Sequence, residues 1–205
     1  MANGFVIALI GAESTGKSTL AGELGAALAE PGRSVAVVGE YLREFCVQHG
    51  RTPRSDEQAG IAAEQTRRIA AAAETHDVVV ADTSALMIAV YSDYIFGDTS
   101  LYADALAAHA RCGLSLLTAL DLPWRADRMR DGPHVREPVD ARVRAALAGA
   151  GLPFAIVAGH GAQRRANALA AAQRALGPLE PPRRWQGVCE RCGDADCERH
   201  LLPRV

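Results

Sequence analysis

Lysine occurs once in this chain. Of its 22 basic residues only Lys17 is not arginine, and it stands inside Gly11-Ala12-Glu13-Ser14-Thr15-Gly16-Lys17-Ser18. The spacing is G-x-x-x-x-G-K-S, a phosphate-cradling pattern. Gly11 and Gly16 let the backbone curl, so that N–H groups through Glu13, Ser14 and Thr15 point at phosphate oxygens. A helix opening near Lys17 and running through Thr19 aims its positive end at the same anion. A loop wrapped around a triphosphate has room for a slender stem and compact charge, but not for a planar guanidinium. Ser18 offers a hydroxyl to magnesium.

The elements around the motif are those it needs. Phe5 to Ile10 is a continuous apolar run, as in a buried strand, and Thr19 to Ala29 reads as an alanine- and leucine-rich helix. Further strands are expected at 34–39, 77–81, 114–120 and 154–158. Helices are expected at 56–74, 85–94, 101–110, 139–150 and 162–176. Strands alternating with helices predict an α/β fold with a five-stranded parallel sheet covered on both faces. Ligands in such sheets collect at the carboxyl ends of the strands. That rule selects the loop at 11–18, Glu40, Asp82, Asp121 and Gly159.

Asp82 can hold magnesium together with Ser18 or orient a nucleophile, the alternative being a helix cap near Ser84. Glu40 opens Glu40-Tyr41-Leu42-Arg43 and can take a proton from an acceptor hydroxyl. Tyr41 and Arg43 are candidates for holding that acceptor. The alternative is a solvated helix face with an ion pair. After the fourth strand, Trp124 can stack on an aromatic base. The arginine-rich stretch 125–136 reads as a lid able to neutralise charge during phosphoryl transfer.

Gly177 to Pro182 reads as a linker. It divides a nucleotide-binding domain, 1–177, from a tail, 178–205. The tail carries Cys189, Cys192, Cys197 and His200 as C-x2-C-x4-C-x2-H, two short pairs able to close a tetrahedron around zinc. Free thiols are the alternative. Trp185 and Leu201 give the tail an apolar face, either to steady the lid or to join two subunits into a homo-oligomer.

At 205 residues and 49% hydrophobic, the chain has ample material for one core, and a net charge of −2 argues against wrapping nucleic acid. No run is long enough to span a membrane, and the first apolar run lacks a basic leader. A cytoplasmic protein with reduced thiols is expected.

Residues 11–19, then Glu40-Tyr-Leu-Arg-Glu-Phe45, then Asp82-Thr83, together with the arginine stretch after Trp124, resemble the ribosylnicotinamide kinase domain of the NadR family. The resemblance spans about residues 5–176. It implies a P-loop kinase that moves the γ-phosphoryl of ATP, with magnesium, to the 5′-hydroxyl of nicotinamide riboside. Within the arginine-rich stretch the resemblance implies the choice of Arg130 and Arg136, with Arg128 as a further candidate. The chain has no H-x-G-H adenylyl-transfer motif, so the family's nucleotidylyltransferase half is not expected. The other reading kept open is a regulatory NTPase whose nucleotide state is sensed by a protein partner on the zinc tail.

Overall fold

The computed structural model describes residues 4–126 and 132–177. Five strands form one parallel sheet: β1 Phe5–Ile10, β2 Val35–Val38, β3 Val78–Asp82, β4 Leu114–Thr118 and β5 Ala155–Val157. Their order across the sheet is β2-β3-β1-β4-β5. The strands with the longest apolar runs take the centre, where both faces are covered. The short edge strands β2 and β5 leave Val37 and Ile156 about half exposed.

Period-two alternation divides the central strand between two cores. Ile7 and Leu9 face Leu20, Leu24 and Leu28 of α1 (Lys17–Leu28) and Ala168 and Ala172 of α7 (Gly161–Leu176). On the other face Val6 packs near Ala73 of α3 (Gln58–Thr75). Ile10 meets Leu86 and Val90 of α4 (Ala85–Phe96) and Val139 and Val143 of α6 (Arg136–Gly149). α5 (Tyr102–His109) packs outside α4. α2 (Tyr41–His49) follows β2 directly and ends at Gly50, whose left-handed backbone, φ 65°, a side chain would strain.

Two starts differ from expectation. The helix expected from 56 begins as a single 3-10 turn, Ser55–Glu57, before α3 proper. α6 begins at Arg136 rather than 139, because Pro138 sits in its first turn, where a missing N–H costs nothing.

His109 is a buried polar group whose two ring nitrogens both find partners. It is 2% exposed, with Nδ1 bonded to the Ser84 hydroxyl and Nε2 to the Ser115 hydroxyl, each at 2.9 Å. Burial depresses its pKa to about 4. The unfolded chain binds a proton near pH 6.5, while the folded chain resists until about 4. Stability therefore falls as pH drops through that window, by up to about 3 kcal/mol at its lower end. In urea melts between pH 7 and 4, His109→Gln should have a flatter pH dependence than the parent chain.

Candidate active site

The sheet order sets Glu40, Asp82 and the phosphate loop in a row, since β2, β3 and β1 are consecutive neighbours and each residue lies at a carboxyl end. Asp82 is directly opposite Leu9 in the register, two residues before Gly11.

The loop is tied on every side. Gly11 has φ 137°, and a β-carbon there would run into the Thr118 hydroxyl, so only glycine fits. Gly16 has φ 78°. The Thr15 hydroxyl donates to the Ala12 carbonyl at 2.8 Å and pairs with the Thr118 hydroxyl at 2.7 Å. Lys17 Nζ donates to the carbonyls of Gly11 and Ala12 at 2.8 and 2.7 Å, which places the ammonium over the loop's hollow. α1 starts at Lys17, as the spacing requires, with no side-chain cap competing for its first N–H groups.

The cavity at the loop has a volume of about 530 Å³. Every loop residue named from the sequence except Ala12 lines it, as do Ser18, Thr19, Glu40 and Arg43. Glu40 keeps 22% side-chain exposure and pairs with Arg43 at 3.6 Å. Burial pushes its carboxyl above the ordinary range; Lys17 pulls it back, and Asp82 pushes it further up. Asp82 is 5% exposed, and its buried Oδ1 has no hydrogen-bond partner. It does not cap α4, whose N-cap is Ser84. Thr83, just after it, is held at φ 79°, an unfavourable conformation for a β-branched residue and a mark of constraint at this turn.

Three sequence expectations take other places. Tyr41 is not among the cavity-lining residues; its ring lies under the Arg68 guanidinium at 4.4 Å. The Trp124 indole donates to Glu13 at 2.8 Å, so it braces the loop's flank rather than lining the acceptor side. Arg136 is buried at the start of α6 and donates to the Leu122 carbonyl at 2.9 Å, away from the cavity lining. Arg128 and Arg130 lie outside the described residues, as do Cys189, Cys192, Cys197 and His200. Among the described residues no cluster of metal-ligating side chains forms.

Sequence reading missed Arg164. It is 4% exposed and donates to the Thr15 carbonyl at 2.9 Å, the Gly159 carbonyl at 3.1 Å and Asp121 Oδ1 at 2.7 Å. Asp121 in turn accepts from the Gly159 N–H at 2.6 Å. Asp121 and Gly159, selected as strand-end residues, therefore form a brace for the phosphate loop. Arg164→Met should cost roughly 2 to 4 kcal/mol of stability, because Asp121 and the Thr15, Gly159 and Ala119 carbonyls lose this donor. Nucleotide affinity should fall with it, measured by titration with a non-hydrolysable ATP analogue.

Fold and site together define an α/β domain built around a P-loop. Residues 6–165 match the AAA domain family, and the chain belongs to it. Two solved NadR structures are similar to it. One, in complex with NR, has a TM-score of 0.72 at 20% identity, covering 87% of this chain and 52% of that one. The other, in complex with NAD and AMP-PNP, has a TM-score of 0.67 at 19% identity, covering 87% and 51%. A thymidylate kinase from Ehrlichia chaffeensis has a TM-score of 0.60 at 14% identity, covering 85% and 100%. The chain spans about half the length of the NadR chains it matches. No curated protein matches it. Among the described residues no helix is long and apolar enough to cross a membrane.

Proposed function

We propose that the chain is an ATP-dependent kinase for a small nucleoside-like acceptor, with nicotinamide riboside as the first choice. The observation that carries this reading is the extent of the cavity. It does not stop at the phosphate loop but continues past Glu40 and Arg43 to Leu42, Gln58, Ile95 and Phe96. A regulatory NTPase needs room only for the nucleotide and a water; a cavity that runs on from the loop to these side chains would give an acceptor a place beside the phosphate site. The likeness in fold to a NadR structure in complex with NR supports the choice of acceptor.

In this mechanism the loop N–H groups and Lys17 hold the β- and γ-phosphates. The Ser18 hydroxyl and the Asp82 carboxylate, whose buried Oδ1 has no partner, would hold a magnesium ion, which would neutralise charge on the transferred group. Glu40 accepts the 5′-hydroxyl proton as that oxygen attacks phosphorus, and its raised basicity suits the task. The test is a nucleoside screen for ADP release. The expected result is release stimulated at least tenfold by nicotinamide riboside without any protein partner. Slow hydrolysis indifferent to every acceptor would refute the proposal and favour the regulatory reading.

The tail residues Cys189, Cys192, Cys197 and His200 belong to the same proposal as ligands of one structural zinc ion. Four protein ligands fill a tetrahedral shell and leave no position for a reacting water. Elemental analysis of protein purified without a metal column should find one zinc per chain. Cys189→Ser combined with Cys192→Ser should remove it.

A further inference from the structure

α3 carries two buried glutamines seven residues apart, which places them on one helix face. Gln65 is 0% exposed and fully employed. It accepts from the Tyr41 N–H at 2.8 Å and donates to the Gly39 carbonyl at 3.2 Å, fixing the corner that presents Glu40. Gln58 is 3% exposed and also lines the cavity, yet its side-chain amide makes no hydrogen bond with any described residue. Neither amide atom is sealed off from the cavity, so its donor and its acceptor are both open to a bound molecule. The same cavity is walled by Leu42, Met87, Ile88 and Tyr91, and at Ile95 and Phe96 apolar surface stays 50% and 40% exposed. An apolar wall with one unsatisfied amide fits a flat ring bearing one polar edge.

We propose that Gln58 sets acceptor specificity by pairing its amide with an amide edge on the acceptor's base, donor to acceptor and acceptor to donor. This rests on the kinase reading above and deepens it. The ligand class is a nucleoside whose ring carries a neutral amide, either as a carboxamide substituent or as the lactam edge of a pyrimidine. A ring with a carboxylate at that place lacks the donor and leaves the Gln58 oxygen facing like charge. A site built around such a pair rejects an analogue lacking it, because its own polar group stays unpaired.

The experiment crosses ligand and protein changes. Four acceptors are compared for kcat/KM: nicotinamide riboside, uridine, nicotinic acid riboside and unsubstituted pyridine riboside. Each is tested with the parent chain and with Gln58→Met, which keeps the volume and removes the amide. In the parent chain one of the two amide-bearing acceptors should exceed the unsubstituted ring and the acid by roughly 10- to 100-fold. Which of the two leads tells carboxamide from lactam. In Gln58→Met that preference should shrink to less than about threefold. A parent chain that does not distinguish the amide-bearing acceptors from pyridine riboside overturns the proposal, whether or not the variant folds. So does an undiminished preference in a variant whose melting is cooperative; either result leaves the kinase reading standing. If no acceptor stimulates ADP release, the kinase reading fails and this inference fails with it.

Discussion

Replacing Lys17 should reduce phosphoryl transfer on the order of a thousandfold, in Lys17→Arg nearly as much as in Lys17→Ala. The geometry explains why arginine cannot substitute. The ammonium is held by the Gly11 and Ala12 carbonyls at 2.8 and 2.7 Å, within a loop whose backbone is fixed by the Thr15 and Thr118 hydroxyls. A guanidinium is wider and planar, and Gly11 cannot shift to admit it because Thr118 lies against it. Charge is conserved in the arginine variant, so its failure would show that position rather than charge is the requirement. The measurement is single-turnover transfer with saturating ATP, alongside a thermal melt to establish folding. Turnover in Lys17→Arg within a few fold of the parent would mean that the ammonium is not at the transferring phosphate.

Glu40→Gln should lower kcat by about 10²- to 10⁴-fold while ATP affinity changes little. The carboxylate works only when ionised, and burial holds its pKa above the ordinary range. In the parent chain kcat should therefore rise with pH through a limb lying above normal carboxylate titration, and fall as pH drops through it. The glutamine variant should be slow and lack that limb. A variant with normal kcat and weakened ATP binding would place Glu40 on the nucleotide instead. Asp82→Asn gives the contrast: its effect should depend steeply on magnesium concentration, as expected of a residue that acts through the ion.

The sequence made the sheet legible because parallel strands buried on both faces must be continuous apolar runs, and all five expected strands form. The phosphate loop was legible because its chemistry is local: eight consecutive residues contain the whole device. α2 enters the sequence reading only as an alternative, a solvated helix face at Glu40 to Arg43. Tyr41–His49 buries only Phe45 and Cys46, so its pattern is too thin to stand out. Trp124 was assigned by residue type and Arg136 by resemblance, but a side chain's partner decides its role. Their partners, Leu122 and Glu13, are neighbours only after folding. Gln58 and Gln65 look alike in sequence, and only the corner at Gly39 and Tyr41 separates a structural amide from one facing the cavity.

The Arg164 contact to Thr15 joins residues 149 positions apart. During synthesis the phosphate loop leaves the ribosome early, while Arg164 follows it 149 residues later. At roughly 5 to 20 residues per second, about 7 to 30 s separate the two. For that interval a nascent chain carries the whole motif without the arginine that steadies it. Tight nucleotide binding is therefore expected only after Arg164 has been made. A ribosome-bound chain stalled before this helix should bind ATP weakly, and one stalled far enough beyond it to expose Arg164 should bind like the released protein.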